Sequence, residues 1–290
     1  MLLGSFAFAL MGILTHEAGQ TVDWQIIAIF RCAIPLAIVG SLAAFTGVKL
    51  VFFRPRVLWM RSIAGSLSLI GTFYVLPLMP VADVFTLTSI FPIWIALLSW
   101  PFFGETPTAQ VWLSVVSGVI GVAIIQQYDV VRTNYIAVLP LGVSIFTALA
   151  MIGLHRLKGL HTLAVVVHFH TVALTFALAT FFLFEREKPF SLQSGTLWQL
   201  AGVGLSATVG QLFLTLAFMH GEPARVAVVG LTQILFALGI DSLILHHPPA
   251  LAKLIGVPLV IGPTAWLMLH RHGGPHEPLP PEPLETPTPE

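Results

Sequence analysis

Apolar residues run along this chain in long blocks, separated by short polar or Pro/Gly-rich breaks. A helix that crosses a bilayer needs roughly 20 mostly apolar residues. Blocks of about that length fall near residues 2–15, 25–46, 57–77, 81–103, 110–127, 135–154, 162–184, 196–218, 223–245 and 250–269. They predict an all-α integral membrane protein of ten transmembrane helices, five per half, joined by loops too short for a separate soluble domain. The first block is short and starts at Met1. No basic residue precedes it and no small-x-small cleavage pattern follows, so a membrane helix is expected there rather than a signal peptide.

The pattern also repeats. A small-residue turn from Pro80 to Ala82 opens an apolar run with Pro92 inside it, Gly104-Glu105-Thr106 closes that run, and a Gly-rich apolar block follows to residue 125. A weaker echo comes 142 residues later: Ala82 answers to Ala224, Val84 to Val226 and Leu87 to Val229, and Gly121 meets Gly262 after a one-residue slip. Two halves on one plan predict repeats over residues 1–134 and 135–270. An odd number of helices per half makes the second half enter the membrane from the opposite side. The repeats are therefore expected to be inverted, an arrangement that supports alternating access around a midplane site. After Arg271 the sequence HGGPHEPLPPEPLETPTPE has no apolar period, so residues 271–290 read as a solvated cytoplasmic tail, with a docking peptide as the alternative.

Composition agrees with lipid as the solvent. Of 290 residues, 56% are hydrophobic and only 9% charged, against about a quarter charged in a soluble domain. A net charge of zero argues against a nucleic-acid partner. The single cysteine, Cys32, excludes an intrachain disulfide framework and a CxxC metal knuckle. No HExxH, GxSxG, P-loop or GxGxxG fingerprint occurs, so neither metal nor cofactor is expected. With the N-terminus inside, inner loops hold Lys49, Arg54, Arg56, Arg61, Arg156, Lys158, Arg225 and Arg271, and outer loops hold Arg132, Arg186, Lys188 and Lys253. That bias predicts a multi-pass protein of the cell (plasma or inner) membrane with both termini cytoplasmic.

Several of these residues together resemble the EamA-type drug/metabolite transporter superfamily. They are Arg31 early in the second span, the passage RSIAGSLSLIGTFYVLPLMPVADVFTL, Pro92, the Gly-Glu pair at 104–105 and the run SGVIGVAII. The resemblance covers nearly the whole chain. It implies a ten-helix carrier whose central cavity is lined by the third, fourth, eighth and ninth spans, helped by the first and sixth. Its implied substrates range over amino acids, nucleotide-like metabolites, vitamins and drugs. The second half departs from the pattern, with His247 opposite Glu105 and Ile234 opposite Pro92.

Within the spans, each candidate has two readings. Arg31 reads as the one Lys or Arg well inside a span, where a charge is costly without water, a headgroup or a partner. It either contacts an anionic group in the cavity or snorkels and pairs with a carbonyl. Gln233, halfway along the ninth span, needs hydrogen-bond partners, supplied either by substrate or by another helix. Gln211 in the eighth span is a similar case. Thr86 and Ser89 share a face of the fourth span, although such hydroxyls also bond to the preceding turn. Tyr74 offers an amphipathic platform. Pro92 reads as a mid-span kink that frees carbonyls. Ser114, Gly118 and Gly121 form a small-residue packing stripe.

Asp241, about one turn from the outer end of the ninth span, is a candidate proton site. Asp83 reads as a helix cap. His168 and His170, two residues apart on one helix, point about 200° from each other, so they make no paired metal site. Either is a candidate proton shuttle, or simply bonds to backbone. The expected function is secondary transport of a small organic metabolite across the bilayer by a monomer or homodimer that is not an enzyme. The rivals are an intramembrane enzyme, which needs converging catalytic groups, and a channel or passive scaffold.

Overall fold

In a bilayer each backbone N–H and C=O must be satisfied inside its own segment, which makes helix the default for long apolar blocks. The computed structural model describes residues 1–75, 84, 87–104, 107–125, 138–185, 194–244 and 251–269, and among them every regular element is a helix. In chain order these are α1 (Leu2–Gly19), α2 (Trp24–Phe45), α3 (Arg56–Val75), α4 (Phe91–Phe103), α5 (Ala109–Ile125), α6 (Val138–His155), α7 (Thr162–Leu183), α8 (Ser194–His220), α9 (Pro223–Gly230), α10 (Thr232–Ile244) and α11 (Leu251–Leu269). Six stretches among the described residues are long and apolar enough to cross a membrane: Leu2–Gly19, Trp24–Phe45, Val138–His155, Thr162–Leu183, Gly195–His220 and Pro223–Ile240. Phe45, Trp100, Leu113, Phe182, Leu183 and Trp198 lie exposed on the outside of the bundle. An apolar coat of that kind suits lipid, and the molecule is a multi-pass membrane protein.

The fourth and ninth spans differ from the continuous helices expected. Residues 87–88 are helical, Ser89 and Ile90 form a turn, and α4 begins only at Phe91. Pro92 therefore occupies the first turn of a new helix, where the missing N–H costs nothing. It does not kink the middle of an old one. The ninth span breaks at Leu231 between α9 and α10. Carbonyls left over at this break are taken up locally: Ser5 Oγ of α1 donates to Gly230 O at 3.4 Å, and Thr232 Oγ1 donates to Val229 O at 2.6 Å. Gly104 ends α4 at φ 72°, a left-handed conformation that favours glycine, with its N–H donating to Trp100 O at 2.8 Å.

The principal helix contacts are α1 with α8, α3 with α6, α2 with α7, α5 with α11, α2 with α8, α3 with α7, α1 with α10 and α4 with α6. Each joins a helix that precedes residue 126 to one that follows residue 137. Small residues allow these approaches. A Cβ added at Gly121 of α5 would lie 2.8 Å from Gly256 O of α11, and one at Gly118 would lie 2.7 Å from Leu231 Cδ1. The stripe through Ser114, Gly118 and Gly121 is thus a packing seam, and Ser117 Oγ adds a bond to Leu259 O at 3.2 Å. On α8, Gly204 faces Ile34 of α2 and Gly210 faces Phe8 of α1. Between α3 and α6, Ser68 Oγ and Thr147 Oγ1 share a hydrogen bond of 2.6 Å, and Trp94 Nε1 of α4 donates to Ser144 Oγ of α6 at 2.8 Å.

Candidate functional site

Where α2, α3 and α7 meet, the bundle buries a group of polar side chains. Arg31 of α2 is 8% exposed, Arg61 of α3 is 1% exposed, and His168 and His170 of α7 are both buried. Arg61 corrects the expectation from sequence. It is not an inner-loop charge beside Arg54 and Arg56, and Arg31 is not alone inside the bundle. The Arg61 guanidinium lies 3.8 Å from the centroid of the Phe169 ring. Gly65, one turn along α3, leaves the room for that stacking: a Cβ there would come within 2.7 Å of Arg61 Nη1 and 2.9 Å of Phe169 Cε2. The Phe169 ring and that of its neighbour His170 meet edge to face, 4.9 Å apart between centroids.

Cys32, next to Arg31, packs in the same buried cluster as Phe169, the ring against which Arg61 lies, so the two guanidinium groups share one apolar core. Arg31 lies beside the Cys32 thiol, a weak acceptor. Arg31 Nη1, Arg61 Nε and Arg61 Nη1 are buried with no hydrogen-bond partner, and no carboxylate among the described side chains pairs with either arginine. Two like charges without a counter-charge, held in a medium of low dielectric, repel and lose hydration together. Such a pair calls for an anion. The apolar wall beside it is one buried cluster containing Cys32, Leu69, Phe73, Phe169 and Ala173.

The two histidines play different parts. His168 Nε2 bonds to Phe52 O at 3.1 Å, and Nδ1 bonds to Ser62 Oγ at 2.7 Å. A carbonyl only accepts, so Nε2 carries the proton and Ser62 donates to Nδ1. Trp59 packs on the ring at 4.9 Å. With both nitrogens occupied, His168 is a structural tie between α7, α3 and the segment ahead of α3. His170 Nδ1 bonds to Val166 O at 2.9 Å, while Nε2 is buried without a partner. By the same reasoning, that nitrogen is an unpaired acceptor.

The remaining candidates lie elsewhere. Tyr74 is 38% exposed and joins an aromatic group with Trp24 at 6.1 Å and Phe184 at 5.8 Å, where α3 and α7 end and α2 begins. Gln211 is buried on α8, and its Nε2 donates to Thr215 Oγ1 at 3.3 Å within the same helix. Ser89 and Gln233 are half-buried, Ser89 in the turn before α4 and Gln233 in the first turn of α10. Gln233 therefore stands beside a helix break rather than midway along a continuous span. Asp241 falls in the last turn of α10, and its side chain, like Thr86, Asp83 and Glu105, lies outside the described residues.

Sequence reasoning missed Arg61, Ser62 and Gln25. Gln25 is buried on α2, donates from Nε2 to Glu185 O at 3.4 Å and leaves Oε1 unpaired. The usable signal was Arg61 followed by a glycine at i+4, a small residue on the same helix face.

Comparison with known proteins points one way. The profile of the EamA-like transporter family matches residues 1–127. The pseudopaline exporter CntI of Pseudomonas aeruginosa is 30% identical over 261 residues, covering 89% of this chain and 91% of that protein. An uncharacterized transporter of Helicobacter pylori is 28% identical over 194 residues, 63% of each chain. A probable transport protein of Saccharomyces cerevisiae is 21% identical over 236 residues, 72% of this chain and 66% of the other. A crystal structure matches with a TM-score of 0.79 over 93% of this chain and 96% of that one. At 16% identity, it establishes the fold alone.

Proposed function

Because the chain belongs to the EamA-like transporter family and is a small-molecule membrane transporter, we propose that it is a secondary carrier of a small organic metabolite, built as two inverted five-span repeats that work by alternating access. The observation that carries this reading is the pair of helix breaks. The 142-residue offset between the halves takes Ser89, at the break before α4, to Leu231, the break between α9 and α10. Interrupted helices at matching places in the two halves are what a midplane site between repeats requires.

The packing scheme supports the same reading. Exchange of the halves takes α1 to α6, α2 to α7, α3 to α8, α4 with its preceding turn to α9–α10, and α5 to α11. Under that exchange the α1–α8 contact becomes α6–α3, α2–α8 becomes α7–α3, and α1–α10 becomes α6–α4. The contacts α2–α7 and α5–α11 map onto themselves. In this carrier Ser89, Pro92 and Gln233 stand beside the pathway, both termini are cytoplasmic, and the exporter among its relatives makes outward movement the direction to test. With Arg61 removed from the loops, the inner-side basic residues still outnumber the outer ones.

Substituted-cysteine accessibility tests the mechanism. In a Cys32→Ala background, Ser89→Cys and Gln233→Cys are expected to react with a membrane-impermeant maleimide from either face, in right-side-out and in inverted vesicles. Reaction of both positions from one face only contradicts alternating access.

A further inference from the structure

We propose that Arg31, Arg61 and His170 form a buried site for the carboxylate of an organic acid that carries an O–H or N–H donor beside that carboxylate. The proposal rests on the transporter reading, because it names the part of the substrate the protein holds.

Three donor atoms on two arginines face no acceptor: Arg31 Nη1, Arg61 Nε and Arg61 Nη1. The planar guanidinium matches a carboxylate in paired hydrogen bonds, and a charge-assisted bond of this kind is roughly twice as strong as a neutral one. One anion between α2 and α3 therefore satisfies the orphan donors and removes the repulsion between the arginines. His170 sets a second requirement. Its Nδ1 is committed to Val166 O, so its buried Nε2 offers a lone pair that repels a bare anion and accepts a donor. A 2-hydroxy or 2-amino acid brings both features on neighbouring atoms. Phe169 touches both members, with its ring centroid 3.8 Å from the Arg61 guanidinium and 4.9 Å from the His170 ring, and Leu69, Phe73 and Ala173 supply an apolar wall for the carbon skeleton. An organic acid fits that wall better than an inorganic ion does. The low exposure of Arg31 and Arg61 makes this a closed site that ligand reaches only when α2, α3 and α7 part.

Succinate, malate and aspartate differ only at carbon 2, which carries hydrogen, hydroxyl or ammonium. Their binding to the full chain in detergent is read by thermal shift and by equilibrium dialysis, with inorganic phosphate and choline alongside. Malate and aspartate are expected to raise Tm in a dose-dependent way, and succinate to bind about tenfold more weakly for want of one hydrogen bond. Arg31→Gln and Arg61→Gln are expected to weaken malate binding by about tenfold or more. Arg31→Lys and Arg61→Lys, which keep the charge and guard against misfolding, should fall between. Lys158→Gln, on an exposed turn, should bind as the parent does.

The proposal is overturned if none of the three acids binds, if phosphate binds as tightly as malate, or if folded Arg→Gln proteins bind malate unchanged. It is also overturned if mass spectrometry finds an anionic phospholipid held by the parent and lost from the arginine variants. Malate bound but not transported keeps the site and removes the carrier reading. Transport of a non-acid that is indifferent to both arginines does the reverse.

Discussion

His168 holds three parts of the chain with one ring, through Ser62 of α3, the Phe52 carbonyl and its own place on α7. Ser62→Ala leaves Nδ1 buried and unpaired, at a cost of about 1–3 kcal/mol, and should lower the unfolding temperature in detergent. An unchanged Tm would mean that water replaces the hydroxyl. At this scale Arg31 was legible, since a lone charge in an apolar block is conspicuous. Arg61 was not. It follows Arg54 and Arg56, and a basic cluster at the start of a span reads as a loop that orients the protein. What separates them is the direction of the side chain, set by the helical register of α3 and by the space above Gly65.

At the scale of elements, every apolar block overlaps a helix among the described residues, because lipid permits only backbone that is satisfied within its segment, and six of those stretches are long and apolar enough to cross a membrane. Hydropathy did not locate the breaks. Ser89-Ile90 and Leu231 interrupt runs that stay apolar on both sides, and the leftover hydrogen bonds are met by tertiary partners such as Ser5. Pro92 was noticed for the right position and the wrong reason, as a kink instead of a helix start. Pro92→Ala should therefore change stability by less than about 1 kcal/mol, where removing a mid-helix kink would repack the span. The opposite is expected at Gly121→Ala. There the added methyl group meets the Gly256 carbonyl and Leu259 Cβ, both fixed to the α11 backbone, and overpacking should cost about 1–3 kcal/mol. A Tm series in one detergent compares the two variants directly.

For the whole molecule, the proposed plan of two halves has only faint support in the sequence, through a few matched residues at one offset. The packing gives that proposal stronger support. The principal long-range contacts pair helices across the halves, and each unsymmetrical one among them has its exchanged counterpart. In the proposed carrier the halves share their packing, so motion between them passes through the shared interfaces. A substrate moves such an equilibrium only by binding the inward- and outward-open forms differently. A carrier therefore exchanges substrate faster than it releases it unaided, and a channel does not. Counterflow in proteoliposomes reads this difference. Vesicles are loaded with unlabelled malate, aspartate, adenosine, thiamine or choline, and the matching labelled compound is supplied outside. For at least one compound we expect a transient, saturable overshoot of label that disappears when the vesicles start empty. Uptake that rises linearly with concentration and ignores the internal compound, or discrete conductance steps in a planar bilayer, would contradict the carrier account.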